Sequence, residues 1–288
     1  MQELQNAGVP DLVRTVYVSG SLGRMEAVAS SDCDVVVVLT ERDRGDSSLE
    51  IIETVFDCVA RTGFQRPKRE GIFGTPTSFE QLLDDTTCGK VDEDLGVFGK
   101  RIQALLDSQP LLHVAEFENL QRAILDRYTS APVADAAAFS LGWLVDDLIR
   151  YWRSLCARTR WLAHDKEATW RSLNVKVRHS RMLLCAGLFQ LLLEVRDSEE
   201  PIDDLVELLQ LVPLERVARN ISRGHAGELR QHYERFAAAM SEGLTNVVRD
   251  TTQFDNLIAN GSEMAKLLGQ ASSSQFGAAM QTGWFGEL

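Results

Sequence analysis

The sequence predicts an α+β fold, in which a small mixed-sheet head, about residues 1–108, is followed by an all-helical domain, residues 109–288. Two short runs near the N-terminus, residues 13–18 and 34–39, are rich in β-branched residues and bounded by glycine, serine or charge, as strands are. From about residue 78 onward, apolar residues recur with helical spacing. This change of periodicity favours two regions of different architecture.

The other elements follow from the same patterns. Residues Ser47–Arg61 carry an apolar stripe and stop before Gly63, a residue type that often ends helices. A third strand is predicted within Phe64–Phe73, at the edge of the sheet because Pro67 cannot donate a ladder hydrogen bond. The long helices are expected at Ala134–Ala163, Ala168–Val195, Asp203–Leu211 and Leu214–Val248, and the last fifteen residues are expected to form a loose or partner-docked tail.

Composition narrows the function classes. The net charge of −12 over 288 residues argues against general coating of nucleic acid. No apolar run approaches the roughly 20 residues that span a bilayer, and the N-terminus lacks the layout of a secretory signal. The five cysteines are scattered without a C-x-x-C pair, which favours reduced thiols over zinc or disulfides. We therefore expect a cytoplasmic protein without membrane association.

Two acidic residues stand at the entrance of the second predicted strand. Asp32 and Asp34 are two positions apart, so in extended chain they project to the same side while Cys33 turns away. Neighbouring carboxylates repel unless a cation lies between them, and hard oxygen ligands of this kind suit Mg²⁺ or Mn²⁺. The pair is therefore a candidate metal site.

A glycine-serine turn precedes these acids by about eleven residues. Gly20 would let the backbone approach a ligand, and Ser21 together with helix-start N–H groups would hold phosphate oxygens. A short helical stretch is expected at Leu22–Ala27, with Arg24 placed to neutralise the same charge. A phosphate cradle and a metal-binding pair on one piece of chain indicate a site for a metal-bound nucleoside triphosphate.

This constellation resembles the nucleotidyltransferase superfamily with the polymerase-β-like palm. Gly20-Ser21, Asp32 and Asp34 match its motif, and Arg24, Glu26 and Ser31 match the branch of adenylyl- and uridylyltransferases that modify glutamine synthetase and its PII regulator. Further segments, among them residues 71–76, DDLIRYWRSLC and SLNVKVRHSRMLL, are similar to bacterial nucleotidyltransferases with a helical C-terminal domain. The resemblance covers about residues 15–195.

The resemblance also implies a third carboxylate, on a later strand, that helps bind the catalytic metal and activates the attacking hydroxyl. Its place falls near Phe64–Gly71, where the chain has Pro67 at about the position of the family's aspartate. Glu70 is the acid in this segment and the candidate for the role; the alternative is an exposed charge beside Arg66, Lys68 and Arg69. Without a third acid, transfer would be slow, use another base, or be lost.

A basic island lies in the helical region. Residues 148–181 hold nine Lys or Arg against two acids, so this window is +7 and the rest of the chain −19. Two helical stripes run through it, one with Asp146, Arg150, Arg153 and Arg160 and one with Arg171, Asn174, Arg178 and Arg181, with Lys176 and Ser180 beside the second. Arg150, Lys176, Arg178 and Arg181 are candidates to bind the triphosphate; structural ion pairing is the alternative. His179, inside the same basic helix, is interpreted as structural.

The hypothesis from sequence is a Mg²⁺-dependent transfer of an NMP group, from ATP or UTP, to a hydroxyl of a protein, RNA or small-molecule acceptor, with release of pyrophosphate. Asp32, Asp34 and Glu70 would be catalytic, and Asp32 and Asp34 would bind metal. One alternative is a catalytically weak nucleotide-binding regulator. Another is an interaction protein of the toxin–antitoxin type, which would act with a protein partner or as a homo-oligomer.

Overall fold

The computed structural model describes residues 11–28, 31–41, 46–66, 71–84, 86, 88–129, 141–162 and 166–276. These residues form two compact units. The first comprises the residues up to Leu144 together with Val195–Val212, and the second comprises Val145–Glu194 together with the residues from Pro213 onward. A four-stranded mixed sheet with helices precedes a mostly helical region, so the predicted α+β class is confirmed. The boundary expected at residue 108 falls inside the first unit.

The sheet of the first unit has the strand order β3-β2-β1-β4. Strands β1, Val13–Ser19, and β2, Asp34–Leu39, are antiparallel, and their register pairs Ser19 with Asp34. Strand β3, Thr77–Ser78, runs parallel to the end of β2, and β4, Gln109–Leu112, runs antiparallel to β1. The two strands predicted from β-branched residues are thus the central pair, since valine-rich strands suit positions buried on both faces.

One face of the central pair packs on helix α2, Asp46–Arg61. The predicted apolar stripe of this helix is buried, and it joins Val16, Val18, Val35 and Val37 in one cluster (Ile51, Ile52, Val55, Phe56 and Val59 on the helix). Gly63 follows with φ of 92°, a left-handed conformation that ends the helix at little cost for glycine. The predictions for β1, β2 and this helix are confirmed to within a residue at each end.

Side chains on the other face of β1 pack on α4, Leu95–Leu106, and α5, Val114–Thr129. Tyr17 lies there, with its ring 5.0 Å from that of Phe117 and its hydroxyl donating to the Lys100 carbonyl oxygen at 3.1 Å. Complete burial, aided by the charge of Asp107, raises the pKa of the Tyr17 hydroxyl. Tyr17 therefore serves the core.

The third strand is displaced from its predicted place. In the described part of Phe64–Phe73 the chain forms a loop and then a 3₁₀ turn, Ile72–Gly74, entered through Gly71 with φ of 84°; residues 67–70 lie outside the described part. Among the described residues that follow α2 in the chain, Thr77 and Ser78 pair with β2. Strand β4 was not predicted either, because it is four residues long and contains Pro110, a residue tolerated at a sheet edge.

Three further elements of the first unit lie outside the sheet. Helix α3, Phe79–Leu82, begins with a capping box in which Ser78 and Gln81 exchange side-chain and backbone hydrogen bonds. After α5 the chain leaves this unit, and it returns through a 3₁₀ turn, Val195–Asp197, and helix α9, Pro201–Leu208, which packs on α5. Gln210 then bonds to Gln121 of α5 and accepts from Gln109 of β4.

The second unit consists of helices. They are α6 (Gly142–Leu162, within this unit from Val145), α7 (Glu167–Lys176), a π-helical segment (Val177–Arg181), α8 (Met182–Glu194), α10 (Pro213–Arg219), α11 (Arg223–Ser241), α12 (Leu244–Val247) and α13 (Thr251–Phe276). The helix predicted over Leu214–Val248 is divided in three, since Ser222 caps α11 and Gly243, with φ of 87°, precedes α12.

Two differences from expectation concern the ends of helices. The helix predicted from Ala134 is seen from Gly142, with residues 130–140 outside the described part. The 26-residue helix α13 was not predicted, and residues 277–288 of the expected tail lie outside the described residues. None of the helices in the described ranges combines the length and apolar character required to cross a membrane.

Candidate functional site

The glycine-serine turn and Asp34 meet at one end of the β1–β2 hairpin, and Asp32 lies two positions before Asp34 in the chain. Antiparallel pairing places Ser19, the last residue of β1, opposite Asp34, the first residue of β2. The next residue, Gly20, has φ of 68°, and a Cβ atom added to it would lie 2.3 Å from Asp34 Oδ2. The Asp34 carboxylate therefore lies directly against the turn, in space that only glycine leaves open.

The two acids flank a buried cysteine at the start of β2. Asp32 is exposed and Asp34 half-buried, whereas Cys33 is buried in the cluster that packs on α2. Burial raises the pKa of the Cys33 thiol to about 12, with further contributions from the charges of Asp34 and then Asp32. The projection of Asp32 and Asp34 to one common side stays a prediction.

The turn itself is shorter than predicted. A single helical turn, α1, covers Gly20–Gly23, whereas the expected stretch was Leu22–Ala27. The helix does not continue past this turn because Met25, with φ of 58°, leaves the helical conformation. Position 23 accepts only glycine, since a Cβ there would lie 1.8 Å from the Asp107 carbonyl oxygen. Ser21 lies half-buried inside this turn, and its carbonyl oxygen accepts the Glu26 N–H at 2.8 Å.

A buried ion-pair network that the sequence did not reveal supports the turn. Asp107, between α4 and β4, accepts from the Ser19 hydroxyl at 2.7 Å and from Arg24 Nη1 at 2.6 Å. Arg24 Nε donates to Glu26 at 2.8 Å. Arg24, predicted to face phosphate, is thus engaged by two carboxylates; its direct contact with a nucleotide stays a prediction. No motif marks Asp107, which is 83 residues from Arg24 in sequence.

The third carboxylate is not placed by the structure, since Glu70 lies outside the described residues. The segment leading into β3, residues 71–78, contains no acid. Across the described ranges, no group of three or more His, Cys, Asp or Glu side chains is arranged to hold a metal ion. Asp32 and Asp34 nevertheless fit Mg²⁺ bound to phosphate, because this ion usually takes one or two carboxylates and completes its shell with phosphate and water oxygens.

The predicted phosphate-binding residues of the basic island lie in the second unit. Arg150 Nη2 lies 3.2 Å from Asp147 Oδ1, and Arg178 Nε donates to Asn174 Oδ1 at 3.0 Å. Lys176 and Arg181 are half-buried. Burial lowers the pKa of Arg178. The structure brings Arg178 and Asn174 together, but it does not test whether any of these side chains meets a nucleotide.

Arg171 shows the alternative, structural use of this island. Its guanidinium lies 2.7 Å from Glu167, donates to the Val248 carbonyl oxygen at 3.1 Å, and covers the Phe254 ring at 5.0 Å. These contacts tie α7 to the segment around the start of α13. Part of the predicted basic stripe is therefore devoted to packing.

His179 belongs to a buried network in the π-helical segment. Its Nδ1 lies 2.7 Å from the Val175 carbonyl oxygen and its Nε2 3.0 Å from Asn260 Nδ2, so the neutral ring donates at Nδ1 and accepts at Nε2. Asn260 Oδ1 in turn lies 2.7 Å from His232 Nδ1. The ring also stacks on Phe236. These contacts agree with the structural interpretation of His179.

Comparison with known proteins assigns no family to the chain. The sequence matches no protein-family model, and no curated protein is similar to it at a significant level.

Proposed function

We propose that this protein is a Mg²⁺-dependent nucleotidyltransferase. The observation that carries the proposal is the contact between the Gly20 turn and the Asp34 carboxylate. This contact brings together two sequence features that suit different parts of one ligand. One is a turn suited to phosphate and the other a carboxylate pair suited to a divalent ion. Their juxtaposition at one end of a hairpin supports a site for a metal-bound triphosphate.

In the proposed reaction, an acceptor hydroxyl attacks the α-phosphorus of ATP or UTP. A new oxygen–phosphorus bond forms, the bond from the α-phosphorus to the α–β bridging oxygen breaks, pyrophosphate leaves, and the hydroxyl proton passes to a base or to water. Asp32 and Asp34 hold the metal, and Ser21 binds phosphate oxygen. Bound Mg²⁺ would stabilise negative charge on the attacking and departing oxygens. Glu70 is proposed as the third catalytic carboxylate, and Arg150, Lys176, Arg178 and Arg181 as nucleotide contacts.

Transfer of labelled phosphate tests this function directly. The purified protein is incubated with cell extract, Mg²⁺ or Mn²⁺, and each of the four NTPs labelled at the α-phosphate. We expect one NTP to label a specific acceptor, and Asp32→Asn or Asp34→Asn to reduce labelling by about 100-fold or more, because each removes charge stabilisation from the transition state.

Asp57→Asn is the matched control. Asp57 is an exposed carboxylate of the same unit, paired on the surface with Arg66, and lies outside the proposed site. Its substitution should leave labelling at the wild-type level. Labelling that survives both Asp32→Asn and Asp34→Asn would exclude the proposed mechanism.

A second candidate, a nucleotide-binding regulator with weak or no transfer, is favoured by a specific observation. The described residues supply two carboxylates at the turn and no group of three metal-ligating side chains. Binding of a triphosphate with a micromolar Kd, measured by calorimetry, without any release of pyrophosphate would support this candidate over the transferase. The two outcomes are separated by a coupled pyrophosphate assay on the same sample.

A further inference from the structure

The network around Asp107 spans the candidate phosphate turn from end to end. One oxygen of the carboxylate accepts from Ser19, the last residue of β1, and the other accepts from Arg24, the residue that follows α1. The Asp107 carbonyl oxygen also packs against Gly23. A single residue therefore contacts both flanks and the final glycine of the turn that contains Gly20 and Ser21.

Burial makes this network costly to break. The Asp107 and Arg24 side chains are 1 % and 5 % exposed, and the Glu26 side chain is 20 % exposed. Charge-assisted hydrogen bonds out of water are among the strongest in proteins, and removing one partner leaves a buried charge unpaired. The orientation of the turn relative to β1 is thus fixed by groups that are largely shielded from solvent.

The backbone after the turn is held in a strained conformation. Met25 lies in the left-handed region with φ of 58°, although its side chain is 72 % exposed and gains little from packing. Such a conformation is unfavourable for a residue other than glycine and persists only when the surroundings enforce it. Its two neighbours, Arg24 and Glu26, are joined to each other and, through Arg24, to Asp107, which supplies that constraint.

We propose that Asp107 is a positioning residue for triphosphate binding. Through Ser19 and Arg24 it fixes the Gly20-Ser21 turn beside Asp34, so that the turn and the metal-binding carboxylates are arranged before the ligand arrives. This inference rests on the proposed function of the site. Asp107 is proposed to act through Ser19 and Arg24 rather than as a metal ligand, because its side chain is 1 % exposed and its two oxygens accept from those residues.

The test compares Asp107→Asn with Glu93→Gln. Glu93 and Arg101 form a pair of the same kind in the same unit, 2.6 Å apart with side chains 2 % and 4 % exposed, at a place separate from the turn. For each variant, hydrogen exchange is measured without nucleotide at the amides of Arg24, Met25 and Glu26, whose N–H groups bond within the turn. The Kd for ATP and for UTP, each with Mg²⁺, and for AMP is then measured by calorimetry.

For Asp107→Asn we expect exchange at these three amides to accelerate about tenfold and the Kd for the bound triphosphate to rise about tenfold, the equivalent of roughly one ion-pair hydrogen bond. The affinity for AMP should change less, because a misplaced turn affects mainly the contacts to the phosphate chain. Glu93→Gln should lower the melting temperature about as much as Asp107→Asn does. It should leave the exchange rates of the three amides and the Kd for the triphosphate at wild-type values.

Wild-type exchange and affinity in Asp107→Asn would overturn the inference, as would an equal loss of affinity in Glu93→Gln. Should Asp107→Asn not fold, Ser19→Ala keeps the ion pair and removes only one hydrogen bond; we expect smaller increases in the same readouts, and wild-type values in both would again overturn the inference. If wild type binds no nucleotide, the proposed function fails while the exchange measurement still tests whether Asp107 fixes the turn.

Discussion

Gly20 and Asp34 are in contact across the β1–β2 hairpin, with the position that a Gly20 Cβ would take only 2.3 Å from Asp34 Oδ2. Real Cβ atoms do not approach an oxygen so closely, so any side chain at position 20 displaces the carboxylate. The contact links a glycine that the turn requires with an acid that we propose as a metal ligand. It makes the geometry of the candidate site depend on the absence of one methyl group.

Gly20→Ala should abolish binding of Mg²⁺-bound ATP and UTP. The substitution adds about 1 kcal/mol of backbone strain at φ of 68° and pushes Asp34 away from the turn. Gly63→Ala is the control, since Gly63 has φ of 92° but no atom within 4 Å of the position that an alanine methyl would take. Urea unfolding of both variants measures the cost of backbone strain, and calorimetry measures the affinity for the nucleotide. Equal affinity in the two variants would contradict the prediction.

Cys33 should resist thiol reagents in the folded protein. Burial and the neighbouring carboxylates raise its pKa to about 12, so at pH 8 it is protonated as well as inaccessible. Cys88 is exposed and should react within the native state. Mass spectrometry after brief alkylation, with and without urea, measures both sites, and native labelling of Cys33 at the rate of Cys88 would refute the account.

Acid should destabilise the second unit through His179. Burial lowers its pKa from 6.5 to about 4 in the folded protein, with Arg178 and His232 adding to the effect against the Val175 carbonyl oxygen. The unfolded chain therefore binds more protons between pH 6.5 and 4. The contribution to stability is fully present above about pH 6.5 and is lost as the pH falls toward 4, and it amounts to about 3 kcal/mol.

Urea unfolding of wild type and His179→Gln at pH 7.5, 6, 5 and 4 measures this contribution. We expect the variant to be less stable at pH 7.5 and the difference in unfolding free energy to shrink steadily toward pH 4, since the variant has no imidazole to protonate. If the difference in unfolding free energy between wild type and His179→Gln does not change with pH, protonation of His179 is not the cause of the acid destabilisation.

Two glycines of α13 should respond to alanine with opposite signs. A Cβ at Gly261 would lie 2.8 Å from Arg178 Cβ and 3.1 Å from His179 Cε1, whereas nothing lies within 4 Å at Gly269. Gly269→Ala should therefore stabilise the protein by up to about 1 kcal/mol through helix propensity. Gly261→Ala should destabilise it by about 1–3 kcal/mol through overpacking against the π-helical segment.

Thermal and urea unfolding of these two variants provides the measurement. The same chemical change on the same helix cancels the propensity term, so the difference between the variants isolates the contact with Arg178 and His179. Equal stability of Gly261→Ala and Gly269→Ala would show that α13 moves away from the π-helical segment without cost.

Several elements could be predicted from local sequence. The valine runs of β1 and β2 and the apolar stripe of α2 form the strands and the helix that their periodicities predict. The reason is that the helix buries its apolar face on the strand pair, so no distant partner is needed. The proximity of Gly20 to Asp34 also follows from sequence, since a hairpin brings the end of one strand to the start of the next. Local patterns were not sufficient for β3 and β4, which are short and lie at the edges.

Residues close together in the chain were enough to set the α+β class, the central strand pair and the contact of the turn with Asp34. Folding in three dimensions was needed to decide that Arg24 is engaged by Asp107 and that Arg171 is engaged in packing around Val248 and Phe254. An arginine has the same charge whether it binds phosphate or a buried carboxylate, and the choice between them is made by partners that folding brings from about 80 residues away.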